Sequence, residues 1–294
     1  MTRPGLIVVD KPACWTSHDV VARLRRLTGT RKVGHAGTLD PMATGVLVIG
    51  VERATRLLGH LALGDKAYRA TIRLGQATVT DDAEGELIGG ASAAAVTAAE
   101  ITAGLAALTG ELDQVPARVS AVKVDGKRAY ARVRAGEEVA LAPRRVTVSR
   151  LELTATRRPD GDLLDLDVDV ECSSGTYIRA LARDLGVALG VGGHLTALRR
   201  TRVGPFDLAQ ALTLEELAAR ADPVAVSLDA AVAAAFPRRD VDAAAADRLG
   251  HGGKLPPAGL DGPYGAFDPD GHVIALIEER DGMARPVVVF APAG

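Results

Sequence analysis

Two segments of the chain alternate apolar and polar residues at every position, which is the pattern of a β-strand with one covered face. Residues 67–74, AYRATIRL, set Tyr68 and the apolar residues after it against two arginines and a threonine. Residues 163–171, LLDLDVDVE, set leucines and valines against three aspartates, so we expect one face of that strand in water. The helical patterns do not interleave with strands in regular β-α-β order, and we therefore predict an α+β fold.

Helices are predicted from apolar residues at helical spacing and from capping residues. Ser17 is the predicted cap of the first helix. A second helix is predicted for residues 93–109, and another begins within residues 172–186 after a turn. Thr213 and Glu216 have the spacing of a capping box, which predicts a further helix start.

Length and composition exclude several classes of protein. The chain has 294 residues, 47% hydrophobic and 24% charged, the balance of a soluble globular protein with one large domain or a large and a small one. No uninterrupted apolar stretch approaches the roughly 18 residues of a membrane span, and the first apolar run is too short for a signal peptide. The 2 cysteines are too few for a disulfide framework and lack metal-ligand spacing, so a cytoplasmic protein is expected.

The charges are unevenly distributed although the net charge is only -2. Residues 114–145 contain eight basic and three acidic residues, and residues 21–34 contain five basic residues and no acid. The segment 198–202, LRRTR, adds three arginines, whereas residues 240–294 hold nine acids against four basic residues. Basic surfaces attract polyanions, although each stretch taken singly is also compatible with a solvated face.

The texture of the sequence changes after about residue 222. Short strand-like runs, HVIALIEE and PVVVF, are separated there by the turn signals PDG and DG. We predict a small β-rich domain at residues 236–294, following a larger domain at residues 1–230.

One acid, Asp40, stands in the glycine-rich segment GHAGTLDPMATGVLVIG, residues 34–50. From this motif alone a turn residue before Pro41 is the simplest interpretation. The segment has no second carboxylate for a glycosidase, no cluster for a metal and no Gly-Lys-Ser/Thr for a phosphate loop. The chemical alternatives that remain are a nucleophile or a general base near a cation.

The same segment closely resembles the catalytic motif of the TruB family, the bacterial tRNA pseudouridine-55 synthases. Further motifs follow in the family's order, and together they cover about residues 5–215. The resemblance implies a pseudouridine-synthase-like catalytic domain with a mixed, largely antiparallel sheet, and a C-terminal domain resembling a PUA domain more weakly. The matching segments are LIVVDKPACWTSHDVV, DKAYRATIRLGQATVTDDAEG, PARVSAVKVDGKRAYARVRAGEEV, CSSGTYIRALARDLG and HLTALRRTRVG.

The resemblance assigns catalytic roles to three residues. Asp40 resembles the family's catalytic aspartate, Tyr68 the tyrosine stacked on the target uracil, and Arg179 the arginine that pairs with the aspartate. A buried carboxylate tends to protonate unless a cation holds it ionised, which suits this pairing. Whether Asp40 attacks C1′, attacks the uracil ring or abstracts a sugar proton is left open by the residues.

Four more residues resemble substrate contacts of the family. His35 resembles the histidine that helps to open the T-loop, and Asp82 falls where the family has a substrate-contacting acid. Tyr177 resembles the pocket tyrosine, and Leu198 an apolar residue against the uracil. Isomerisation of uridine involves no net redox change or hydrolysis, so neither a cofactor nor a metal is expected.

The basic insertion at residues 114–145 resembles the family's RNA-contacting segment. We expect a monomer that binds the T-loop of tRNA without a guide RNA or a membrane. Two alternatives are a guide-RNA-dependent pseudouridine synthase, against which the basic insertion argues, and a tRNA-folding chaperone whose main role is binding. The residues predicted to contact RNA are Lys123, Lys127, Arg128, Arg132 and Arg134.

Overall fold

The computed structural model describes residues 2–117, 123–124, 127–128 and 142–291. Helices and strands both occur, most strand pairs are antiparallel, and the predicted mixture of the two is confirmed. None of the helices in these ranges is long and apolar enough to span a membrane.

Contacts divide the chain into two compact units, each built from separate stretches of sequence. The first unit comprises residues 1–40, 45–62 and 203–294, and the second comprises residues 41–44 and 63–202.

The first unit is organised around two strands that are buried along almost their whole length. β1 and β3 pair antiparallel, from Gly5 opposite Val51 to Lys11 opposite Gly45. A strand that is covered on both faces has near-continuous apolar sequence, and both strands have it. The elements before residue 62 are β1 (Gly5–Lys11), α1 (Ser17–Thr28), β2 (Val33–His35), β3 (Thr44–Val51), a 3₁₀ helix (Glu52–Leu57) and α2 (Leu58–Leu61).

The predicted C-terminal strands are confirmed and form a four-stranded sheet in the order β15-β16-β17-β18. Phe267 and Leu276 of this sheet belong to the same core cluster as Leu6 and Val48, whereas other apolar side chains of the sheet, including Tyr264, form a separate cluster. The boundary predicted near residue 230 stays a prediction. The elements of this part are β14 (Val226–Ser227), α5 (Leu214–Ala218), α6 (Leu228–Ala235), β15 (Arg238–Asp240), α7 (Ala243–Gly250), β16 (Tyr264–Phe267), β17 (Val273–Arg280), β18 (Met283–Val289) and the short β13 (Phe206–Asp207).

The second unit contains the alternating strands that the sequence predicts. β4 and β11 pair antiparallel with Tyr68 opposite Val170, and the apolar residues of both strands are buried. Helices α3 and α4 contact this sheet and each other. The elements are β4 (Lys66–Leu74), β5 (Ala77–Thr78), β6 (Leu87–Gly89), α3 (Ala98–Ala107), β7 (Gly110–Gln114), β8 (Lys123–Val124), β9 (Lys127–Arg128), β10 (Arg144–Arg157), β11 (Leu164–Cys172), α4 (Ile178–Ala188) and β12 (Gly193–Val203).

One aspartate of β11 departs from the expected water-facing row. Asp165 is only 5% exposed, because the Arg73 guanidinium on β4 meets its carboxylate with two hydrogen bonds of 2.8 Å. The two residues lie opposite each other in the strand register. A planar guanidinium bonded to both carboxylate oxygens compensates the charges that burial would otherwise penalise.

Two predicted helix starts are wrong, the first by one residue and the second by five. The cap of α1 is Thr16, which forms a capping box with Asp19, whereas Ser17 is the first helical residue. The helix predicted for residues 93–109 spans Ala98–Ala107, because Thr97 and Glu100 form the capping box there. The capping box of Thr213 and Glu216 is confirmed.

The basic insertion is described only in part. Strands β8 and β9 form a short antiparallel ribbon in which Lys123 lies opposite Arg128 and Val124 opposite Lys127. Arg132 and Arg134 lie outside the described residues.

Candidate active site

Asp40 lies in the loop that joins β2 to β3 and is half-buried. The loop is anchored at Ala36, whose N–H donates to the carbonyl of Val48 at 2.9 Å. Gly37 adopts a φ of 90°, a left-handed value that side chains other than glycine rarely adopt. The glycines of the motif therefore serve the backbone, while Leu39, 4% exposed, is buried in the unit beside the acid.

His35 is the last residue of β2 and is half-buried in the same unit. The exposed His18 ring of α1 meets it edge to face, with ring centroids 5.6 Å apart. His35 therefore directly precedes the loop that carries Asp40.

Asp82 and Arg179 form a buried ion pair in the second unit. Arg179 Nη1 lies 3.3 Å from Asp82 Oδ2, with the side chains 6% and 3% exposed. The same guanidinium donates to the Thr80 carbonyl at 2.8 Å. Asp82 Oδ1 also accepts from the Thr80 hydroxyl and, at 3.1 Å, from the Glu84 N–H.

The neighbouring Asp81 repeats this arrangement one residue earlier. Arg183, one helical turn after Arg179 on α4, lies 3.2 Å from Asp81 Oδ2. Burial raises the pKa of the Asp81 carboxyl above its ordinary value, and the Arg183 charge offsets part of that effect. Residues four apart share one helix face, so the two arginines hold two consecutive aspartates.

Tyr177 stands directly before α4 and is half-buried. The amide of Gln114 holds its backbone at two points: Tyr177 N–H donates to Oε1 at 2.7 Å, and Nε2 donates to the Tyr177 carbonyl at 3.1 Å. Gln114 is 4% exposed at the end of β7. The start of α4, which carries Arg179, is therefore fixed to the sheet of its unit.

Tyr68 and Leu198 are both buried in the second unit, 7% and 8% exposed. Tyr68 lies on the apolar face of β4, as its alternation predicts. Leu198 lies on β12 and lines an open cavity of about 660 Å³ together with Ala70, Thr196 and Arg199.

Of the two cysteines, Cys14 is exposed and Cys172 is buried. Burial raises the pKa of the Cys172 thiol to about 11, which keeps it protonated at neutral pH. No group of three or more histidine, cysteine, aspartate or glutamate side chains within the described ranges is arranged to hold a metal ion.

Comparison with known proteins decides the family. Residues 25–178 match the TruB family pseudouridylate synthase N-terminal domain. The chain is 64% identical over 290 residues to tRNA pseudouridine synthase B of Rhodococcus jostii, covering 98% of this chain and 94% of that protein. The chain belongs to the TruB family. It is also 62% identical over 290 residues to tRNA pseudouridine synthase B of Thermobifida fusca, with 98% of each chain covered.

The TruB match continues to the end of the described residues. Residues 179–233 match the tRNA pseudouridylate synthase B C-terminal domain, and residues 236–291 match the C-terminal domain of tRNA pseudouridine synthase II. The family is one of pseudouridylate synthases, so this chain is an isomerase. His35, Asp40, Tyr68, Asp82 and Tyr177 fall in the first matched range, and Arg179 and Leu198 in the second.

Solved structures agree with a TruB fold. A chain of a Cbf5-Nop10-Gar1 complex superposes with a TM-score of 0.74 at 28% identity, covering 98% of this chain and 85% of that one. A chain of an H/ACA RNP bound to a substrate RNA containing 2′-deoxyuridine gives 0.72 at 26% identity, with the same coverage.

Sequence reasoning missed the residues that hold the TruB motifs in place. Arg183 had a detectable signal, because two arginines four apart on one helix match two consecutive aspartates in sequence. Gln114 had none, since nothing local distinguishes it from a polar strand end. Ser17 was recognised, but as a cap.

Proposed function

We propose that this protein converts uridine 55 in the T-loop of tRNA to pseudouridine and acts without a guide RNA. One observation carries the proposal: the near full-length identity of 64% to a protein named tRNA pseudouridine synthase B. The superposed Cbf5 and H/ACA RNP chains are 28% and 26% identical, so sequence favours the stand-alone type.

The proposed reaction exchanges one bond for another within the substrate. The C1′–N1 bond of uridine breaks, the base turns, and C1′ joins C5. The proton on C5 is lost and N1 gains one, so atoms and electrons balance without a cofactor. A base inside an RNA loop must first be flipped out of its stack to be reached.

Asp40 is the proposed catalytic carboxylate. It stands in the glycine-rich motif of the family, on a loop whose backbone is fixed within the first unit. Arg179 is its proposed cationic partner, which would keep the carboxylate ionised in a dry pocket. A guanidinium carries five N–H donors, so its contacts with Asp82 and Thr80 are compatible with that further role.

The remaining pocket residues are proposed to hold the flipped nucleotide. Tyr68 would stack on the uracil and use its hydroxyl near C5, with Leu198 on the other side. His35 would contact the opened T-loop, Tyr177 the pocket wall and Asp82 the substrate. An aromatic ring stacked on a base contributes about 1 to 3 kcal/mol.

The basic insertion is the proposed source of tRNA affinity, through Lys123, Lys127 and Arg128 together with Arg132 and Arg134. Cations that neutralise phosphates release counterions, and this makes binding sensitive to salt. We further propose that the protein acts as a monomer in the cytoplasm.

The test is to incubate the purified protein with an unmodified tRNA transcript and no other RNA. Pseudouridine is then mapped by carbodiimide treatment and reverse transcription, with a transcript carrying cytidine at position 55 as the control. We expect one stop that is specific to position 55. No pseudouridine, or pseudouridine that requires a second RNA, would overturn the proposal.

A further inference from the structure

Ser17 makes two hydrogen bonds to Leu39, which directly precedes Asp40 in the loop between β2 and β3. The Leu39 N–H donates to Ser17 Oγ at 2.9 Å, and Ser17 Oγ donates to the Leu39 carbonyl at 3.2 Å. Ser17 is 1% exposed and Leu39 is 4% exposed. One hydroxyl thus pairs with both the N–H and the C=O of Leu39. A buried backbone group without a hydrogen bond would cost free energy of folding.

The second of these bonds acts on the peptide group that begins Asp40. The Leu39 carbonyl and the Asp40 nitrogen and Cα belong to one planar unit, so a donor that holds the oxygen also holds the plane from which the Asp40 Cα continues. Pro41 restricts the rotation after it, because a residue before proline avoids the helical region. The peptide plane that precedes Asp40 is therefore held by Ser17, and the rotation that follows the Asp40 Cα is restricted by Pro41.

Ser17 itself stands on a rigid support. The Lys11 ammonium, fully buried, donates to the carbonyls of Pro12 at 2.9 Å and Trp15 at 2.6 Å in the turn before α1. The Thr16 capping box then fixes the first turn, and Val20 is fully buried beneath it. Helices position side chains more accurately than loops do.

We propose that Ser17 is a positioning residue that sets the Asp40 carboxylate for the chemical step. The proposal rests on the proposed function, in which Asp40 is catalytic. It predicts that loss of the hydroxyl slows the reaction more than it weakens tRNA binding. A small misplacement of a reacting group costs up to about 10²-fold in rate.

The test compares Ser17→Ala with Thr28→Val on the same helix. Thr28 is also buried, and its hydroxyl donates to the Leu24 carbonyl at 2.8 Å, at the end of α1 away from Leu39. Each variant is measured for its thermal midpoint, its tRNA dissociation constant and its single-turnover rate at saturating tRNA. Ser17→Cys, with a weaker donor of similar size, serves as the conservative variant.

We expect Ser17→Ala to lower the single-turnover rate by about 10-fold to 10²-fold at an unchanged dissociation constant. Ser17→Cys should be intermediate, and Thr28→Val should keep the wild-type rate. A wild-type rate for Ser17→Ala, or an equal loss for Thr28→Val at the same midpoint, would overturn the proposal. If Ser17→Ala does not fold, the rate of Ser17→Cys against Thr28→Val decides in the same way.

These outcomes are separate from failure of the proposed function. Wild-type protein that forms no pseudouridine contradicts the function, whereas active wild-type protein with an unaffected Ser17→Ala variant contradicts the positioning role alone.

Discussion

The loops that carry Asp40 and Asp82 show different kinds of contact. Asp82 is held through its carboxylate, which accepts from the Thr80 hydroxyl and the Glu84 N–H and lies 3.3 Å from the Arg179 guanidinium. The Asp40 loop is held through its backbone, by the Ser17 hydroxyl at Leu39. Both loops are ordered, but different atoms of the chain carry the constraint.

The Asp82 carboxylate is thus held directly by its neighbours, whereas Ser17 holds the backbone that leads to the proposed catalytic carboxylate of Asp40. Bonds to a carboxylate make that group part of the packed interior, because a buried charge needs its partners. The two Ser17 hydrogen bonds hold the backbone of Leu39, and they do not use a carboxylate oxygen of Asp40. We therefore expect loss of the carboxylate to have different consequences at Asp40 and at Asp82.

The largest effect is expected at Asp40. Asp40→Asn should abolish pseudouridine formation while the thermal midpoint and tRNA affinity stay close to wild type, because the proposed source of tRNA affinity is the basic insertion. The measurements are single-turnover pseudouridine formation, a binding isotherm and thermal unfolding. Measurable isomerisation by the pure Asp40→Asn protein would refute the catalytic assignment.

The next effect is on stability and belongs to Asp82. Asp82→Ala leaves the Arg179 guanidinium buried without this carboxylate, which typically costs about 3 to 5 kcal/mol of unfolding free energy. Urea unfolding measures the loss. The control is Glu111→Ala, which removes a carboxylate 2.5 Å from Arg145 in an exposed pair and should change the unfolding free energy much less than Asp82→Ala does.

A double-mutant cycle sharpens the same point. Asp82→Leu combined with Arg179→Met replaces the buried pair by apolar side chains and should be more stable than Asp82→Leu alone. Additive losses would mean that the two residues do not depend on each other. The Asp82 loop would then not depend on its ion pair with Arg179.

Local sequence patterns predicted the elements better than the contacts between them. The alternation of residues 67–74 follows from local chemistry and is confirmed in β4. The burial of Asp165 depends on Arg73 across the strand pair, and the core cluster that contains Leu6 also contains Phe290 from the other end of the sequence. Neither contact leaves a periodic trace in the sequence.

The candidate site shows the same limit. Asp40 was identifiable because its motif is contiguous, from Gly34 to Gly50. The contact of Ser17 with Leu39 was not identifiable, because Ser17 and its neighbour Thr16 are both residue types that cap helices. In the structure Thr16 is the cap. Which of two adjacent hydroxyls caps a helix and which reaches another loop is decided by tertiary packing.

The smallest effect is expected at Asp81, which is buried like Asp82 but is paired with a more exposed arginine. Its carboxylate is 8% exposed and lies 3.2 Å from Arg183, whose side chain is 24% exposed. Burial is the largest influence on its pKa and raises it, and the charges of Arg183 and Arg179 lower it in part. Its φ of 60° suits asparagine, which tolerates the left-handed region.

We expect Asp81→Asn to change stability at neutral pH by about 1 kcal/mol or less, the usual range for a partly exposed ion pair. The sign of its pH dependence is the sharper observable. Because the folded pKa is raised, folded protein keeps a proton that unfolded chains have lost, so wild-type stability falls as pH rises from the ordinary aspartate pKa to the raised one. The stability of wild type minus that of Asp81→Asn should therefore decrease from acid towards neutral pH in urea unfolding. An increase would mean that Arg183 outweighs burial, and Asp81 would then be a carboxylate stabilised by its ion pair.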